Sequence, residues 1–138
     1  MKREHGKIQG LIFHIFTLNA KRWATDAVIE QRIRINSSRV RVCDVAILRA
    51  DAPRERVTVT PPLICIEVMS PEDRISRAKE VLADYFAMGV PNIWLIDPIH
   101  RAAFTFGAKG LQEADPTNLT VANTPIRLDL TEAFAAID

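Results

Sequence analysis

A chain of 138 residues, 48% hydrophobic and 25% charged with a formal charge of +1, has the size and make-up of one ordinary globular domain with a sizeable core. No apolar run approaches the roughly 20 residues of a membrane span, and no apolar segment with a small-residue cleavage site marks a secretory leader, so a cytoplasmic location is the default. The chain as a whole is not basic, and its two cysteines, Cys43 and Cys65, form no CxxC and no metal-ligand cluster.

In chain order, Arg3 to Ala20 fits a helix, because Ile8, Leu11, Ile12, Ile15 and Phe16 recur at helical spacing and make one apolar stripe. His5 and His14 lie near that stripe, where a histidine is ordinarily a packing or surface residue. The segment AVIEQRIRI then alternates, with Val28, Glu30, Arg32 and Arg34 opposite Ile29, Gln31, Ile33 and Ile35, as in a half-exposed strand. Asn36 and Ser37 make a turn into RVRVCDVAIL, and a polar loop leads on to PPLICIEVMS. Two such apolar runs joined by a turn-like loop read as neighbouring strands, which gives a three-stranded meander.

After Glu67 the sequence marks a helix start: Ser70 can cap, Pro71 suits the first helical position, and the Asp73 carboxylate can answer the cap. Gly89 and Pro91 end that helix after Met88, and Ile75, Ala78, Leu82, Tyr85 and Phe86 form its core face. NIWLIDP reads as a short buried strand, and the strand–helix–strand order implies a right-handed crossover between parallel strands. Ala102 to Phe106 is a further strand, while Gly107 to Thr124 is loop-rich with a weak strand signal at Leu119 to Val121. The end, PIRLDLTEAFAAI, is a short extended piece followed by a short helix capped by Asp129 or Thr131.

Each of the two central runs is interrupted by one carboxylate, Asp44 in the first and Glu67 in the second. In an antiparallel pair the early part of one strand lies beside the late part of the other, so the two acids meet at one end of the ladder. Buried together they repel unless a proton or a cation sits between them. Two acids at a sheet end can hold Mg²⁺, which takes a few carboxylates plus water and phosphate oxygens, with the Val68 carbonyl as a further oxygen. The alternative is a pair of structural carboxylates, bonded to an arginine of the meander or capping the next helix, and spacing alone does not separate the two. If the acids share a face, strict alternation puts Cys65 on that face and Cys43 on the other, as separate buried thiols rather than a disulfide. Arg32, Arg34, Arg39, Arg41, Arg49, Arg54 and Arg56 crowd the same region, as a phosphate-facing surface or as a solvated edge that resists aggregation.

The series C-D-V-A-I-L, I-E-V-M-S-P-E-D-R and D-Y-F-A-M-G-V-P-N-I-W-L-I-D-P resembles the family of putative restriction endonucleases within the PD-(D/E)XK superfamily. The likeness runs from about His5 to Phe134 and is densest from Arg39 to Arg101. It implies a restriction-endonuclease-like α/β core over residues 1–138: a mixed central sheet, antiparallel meander plus parallel crossover strand, flanked by helices. It also implies Mg²⁺ (or Mn²⁺) held by Asp44 and Glu67, hydrolysis of a DNA phosphodiester, and pairing as a homodimer.

Three departures from the family pattern stand out. Cys43 replaces the proline before the aspartate, and the family's front segment, with its glycine-centred hairpin, is not recognisable here. The third concerns the lysine that the resemblance places four residues before the helix tyrosine, where this chain has Val81; the older lysine site, two after Glu67, is Met69. Lys79 is a doubtful stand-in, about 160° from Val81 around a helix, while Arg74 and Arg77 fall within roughly 20° and 40° of it and are the candidate phosphate contacts. These substitutions keep open a second reading, a degenerate nuclease fold that binds DNA or a protein partner without cutting. The remaining motif residues have structural explanations: Ser70 as a cap, Tyr85 and Trp94 as core aromatics, Asp97 as a strand stop, Glu30 as an exposed strand residue. No Gly-rich phosphate loop follows any strand, which leaves a nucleotide-binding domain with little support.

Overall fold

The structure, a computed structural model, describes residues 3–138. Helix α1 (Arg3–Leu18) and the short α2 (Ala20–Trp23) lead into a long hairpin of β1 (Thr25–Asn36) and β2 (Arg39–Arg49). The strand β3 (Ile64–Val68), helix α3 (Ile75–Met88) and strand β4 (Asn92–Asp97) follow. Next come β5 (Ala102–Gly107) and β6 (Gly110–Ala114), a small pair β7 (Leu119–Thr120) and β8 (Arg127–Leu128), and α4 (Thr131–Ala135). The main sheet has six strands in sequence order, antiparallel throughout except where β3 and β4 run parallel. Parallel neighbours need a crossover, and α3 supplies it.

The expected helix stripe holds α1 to one face of the sheet: Ile8, Ile12 and Phe16 are fully buried there against Val45, Ile47, Ile64, Ile66, Trp94 and Ile96. On the other face α3 presents Leu82 and Tyr85 to Ala46, Cys65, Ile93 and Leu95. Phe86, expected in that core face, sits at its rim, edge-on to Phe106 of β5 with ring centroids 6.3 Å apart. Gly89 ends α3 with φ +96°, a left-handed conformation that side-chain-bearing residues adopt only under strain.

Three expectations need correction. First, α3 begins at Ile75, not at Pro71. The Ser70 amide donates to Asp73 Oδ2 (2.7 Å) and the Asp73 amide to the Ser70 carbonyl (2.9 Å), so these residues close a separate turn and Arg74 is the residue before the helix. Second, β6 lies inside a segment read as loop. Its sequence GLQEA has no β-branched residue, and pairing with β5 together with packing of Leu111 on the α3-side core overrides that weak propensity. Third, strict alternation fails in the β1–β2 hairpin. Glu30, across from Asp44, has φ +53°, and the ladder passes from Ile29↔Val45 to Gln31↔Cys43 without a regular pair between them. Ala27 and Val45 lie on the α1 side of this kink, whereas Ile33 and Cys43 lie on the α3 side. Cys43 and Cys65 therefore share one core cluster, as buried free thiols, instead of facing opposite ways.

Candidate active site

The kink delivers Asp44 to the end of the β2–β3 ladder. The last regular pair there is Val45↔Ile66, and side chains take over beyond it. The Asp44 amide donates to Glu67 Oε2 at 3.3 Å, and the Val68 amide donates to Asp44 Oδ2 at 2.8 Å. Each acid thus closes the hydrogen-bonding of the other's strand. The expected meeting of the two acids takes the form of a shared corner, because Asp44 turns toward α1 while Glu67 turns toward α3.

Two helices close the corner. His5 Nε2 of α1 lies 3.2 Å from Asp44 Oδ2, and both side chains are 15% exposed. One turn on, the Gln9 side-chain amide donates to the Asp44 carbonyl (2.9 Å) and to Glu30 Oε2 (2.6 Å). From α3 the Tyr85 hydroxyl donates to Glu67 Oε2 at 2.7 Å. Tyr85 was expected as a core aromatic; it is one, fully buried, and its polar end reaches the acid corner. His5 and Gln9 were missed as site residues. The available signal was their i, i+4 spacing along the border of the Ile8–Ile12 stripe, where polar side chains face inward.

The electrostatics follow from this packing. Burial pushes the Glu67 carboxyl well above its ordinary range and the Asp44 charge adds to that, against the hydrogen bonds from Tyr85 and the Asp44 amide. His5 is held above the usual imidazole value by its hydrogen bond to Asp44, against burial, with the charges of Asp44, Glu30 and Asp73 helping. Burial above all raises the Tyr85 phenol far beyond its ordinary value, so it remains a donor. A corner with this surplus of buried negative charge is suited to a cation. The second oxygens, Asp44 Oδ1 and Glu67 Oε1, accept no hydrogen bond from any described residue. No three His, Cys, Asp or Glu side chains among the described residues form a closed cage. Two carboxylates, each with an oxygen free of hydrogen bonds, beside the main chain of Val68, fit a hard, partly hydrated divalent ion better than a fully caged one.

The cationic candidates stand outside this set. Arg74 precedes α3 with an exposed side chain, next to Asp73, whose charge is felt at His5. Arg77 is exposed and pairs with Glu80 at 3.4 Å, and Lys79 is exposed on the same helix. None of the three bonds to Asp44 or Glu67. Val81 is half-buried against the α3-side core, four residues before Tyr85. Arg39 and Arg41 of the arginine-rich strand bond to Asp84 of α3, at 3.1 Å and 2.8 Å, which accounts structurally for two members of that cluster. Asp97 ends β4 and accepts from the amides of Ile99 and His100, the strand-stop role expected of it.

A family model, Uma2, described as a putative restriction endonuclease, matches residues 1–135. The chain belongs to the Uma2 family. The crystal structure of a putative nuclease belonging to DUF820 from Anabaena variabilis ATCC 29413 superposes with a TM-score of 0.84 at 19% identity, covering 98% of this chain and 82% of that one. At that identity the likeness shows the fold, and with the mixed, helix-flanked sheet it makes this Uma2 chain restriction-endonuclease-like. None of the curated proteins compared matches the sequence. No described helix is long and apolar enough to cross a membrane.

Proposed function

We propose that this Uma2 protein is a divalent-metal-dependent endonuclease of the cytoplasm that hydrolyses DNA phosphodiester bonds at the Asp44–Glu67 corner. The observation that carries the reading is the mutual bonding of the two acids, which leaves one oxygen of each free of hydrogen bonds in a partly buried, negatively charged corner. Asp44 and Glu67, with the Val68 carbonyl, would hold Mg²⁺ or Mn²⁺. When bound, the ion offsets charge building on the phosphoryl group and lowers the pKa of a coordinated water. Hydrolysis forms a bond from a water oxygen to phosphorus and breaks one phosphorus–oxygen ester bond of the DNA backbone.

The protein's own groups hold and orient. Tyr85 fixes one Glu67 oxygen, which leaves the other to turn toward the ion. Val68 and His5 fix Asp44 in the same way. Arg74, at the lip of the corner, would steady a phosphate; Arg77 is already paired along the helix, though an exposed pair of this kind contributes little and is easily exchanged. Arginine stabilises charge but does not serve as a general base.

The absence of a cation at Val81 supports a second reading, a domain that binds DNA without cutting it. Nicking of supercoiled plasmid separates the two. The nuclease reading expects nicking that requires Mg²⁺ or Mn²⁺ and disappears in Asp44→Asn and Glu67→Gln. Plasmid binding with no nicking in either metal would favour the second reading, and nicking that persists in both variants would remove the first.

A further inference from the structure

We propose, building on the metal-dependent reading above, that His5 is a third protein ligand at this centre, through Nε2, and that it biases the site toward Mn²⁺ over Mg²⁺. The placement of the ring is not left to a flexible side chain. Ile8, Ile12 and Phe16 pin α1 against the sheet with no exposed surface, and Gln9 clamps the same helix end to the kinked hairpin by bonds to Asp44 and Glu30. His5 is therefore carried to the corner on a rigid element, and the nitrogen it presents is the one nearer the metal-facing carboxylate.

The separation fits shared coordination. Ligands at adjacent corners of an octahedron with bonds of about 2.1–2.2 Å stand roughly 3 Å apart. His5 Nε2 and Asp44 Oδ2 are 3.2 Å apart, at the long limit for a nitrogen–oxygen hydrogen bond and close to that octahedral edge. The chemistry then sets a preference among ions. Magnesium favours oxygen donors and keeps its water, whereas an imidazole strengthens binding of first-row transition ions. Two carboxylates with one imidazole match Mn²⁺, which accepts oxygen readily and nitrogen in addition. A histidine that only oriented Asp44 by a hydrogen bond would leave the ion's coordination shell all oxygen.

Pulsed electron paramagnetic resonance on the full chain loaded with Mn²⁺ distinguishes these. The expected spectrum of the wild type shows ¹⁴N modulation that converts to the ¹⁵N pattern when the protein is labelled with ¹⁵N-histidine, a test needing no substitution. His5→Gln should abolish the modulation and weaken Mn²⁺ binding, followed by calorimetry, at least about tenfold, with a much smaller change for Mg²⁺. Mn²⁺ that binds wild type but not Asp44→Asn, without nitrogen modulation, would overturn His5 ligation and leave the metal centre standing. Mn²⁺ that fails to bind, or binds Asp44→Asn equally well, would overturn the metal reading and the role of His5 together.

Discussion

Asp44 and Glu67 each complete the strand the other belongs to: the Asp44 amide bonds Glu67 Oε2 and the Val68 amide bonds Asp44 Oδ2. Their structural and chemical roles are therefore separable only by substitutions that keep an acceptor in place. Asp44→Asn retains one and should fold with a melting temperature within a few degrees of wild type. Asp44→Ala orphans the buried Val68 N–H and should lose about 1–3 kcal/mol. Both should lose metal-dependent nicking. Denaturant melts beside plasmid assays check this, and an alanine variant as stable as wild type would mean the bond is not formed in solution.

Glu67→Gln should stabilise the metal-free protein. A carboxyl whose folded pKa lies above its unfolded one binds its proton more tightly in the native state. Stability then falls as pH rises from the ordinary value near 4.5 through the raised folded value. Glutamine keeps the acceptor for Tyr85 and has no such dependence. Its advantage over wild type should grow from pH 5 to pH 8, and millimolar Mn²⁺ should narrow it by stabilising wild type alone. Thermal melts across that range decide the point; a constant difference would contradict the raised Glu67 pKa.

Tyr85→Phe removes one donor from the Glu67 carboxylate and so makes its charged form costlier. The pH at which Mn²⁺ begins to raise the melting temperature should move upward, with a loss of about 1 kcal/mol in metal-free stability. An unchanged pH midpoint would reduce Tyr85 to a packing residue.

Asp84 anchors α3 to the hairpin. Burial alone would raise its pKa, but the hydrogen bonds from Arg41 and Arg39 hold it below the ordinary carboxylate range. A depressed folded pKa contributes stability above the unfolded value near 3.8 and loses it as pH falls through the folded one. Arg41→Ala, which removes the better-buried partner, should destabilise by about 1 kcal/mol at pH 7 and by clearly less at pH 3. Arg39→Ala, with a half-exposed side chain, should cost less at either pH. Equal losses at both pH values would place the arginine contribution in packing instead of charge.

Val81→Lys tests the missing cation. Residues four apart share a helix face, so position 81 lies one turn from Tyr85, whose hydroxyl touches Glu67. A lysine there should raise single-turnover nicking on the order of 10²-fold, at a modest cost from crowding the core that Val81 now partly fills. An unaltered rate in a folded variant would mean that this position does not limit cleavage.

Much of the architecture could be read from local chemistry. The three-stranded meander, the parallel β4 and the end of α3 at Gly89 follow from runs such as ICIEV and NIWLID bounded by loop and breaker residues. What escaped was set by tertiary pairing. β6 exists because β5 offers it an edge, and no feature of GLQEA announces it. Ser70 and Asp73 satisfy each other in a turn of their own, so a cap signature appeared one turn before the true helix start. The kink at Glu30 broke the alternation on which the placement of Cys43 relied. It also sent Asp44 toward α1, which is why His5 and Gln9 could not be joined to the acids by counting along strands.

The crossover helix has a consequence for when the molecule becomes dangerous to DNA. The corner draws one residue each from positions 5, 44, 67 and 85, and the last arrives only after α3 has folded back across the sheet. A nascent chain halted before that point carries both acids yet lacks the hydroxyl that aligns one of them. Competence to cut would thus be switched on by the closing of the fold, and not by the synthesis of any single motif.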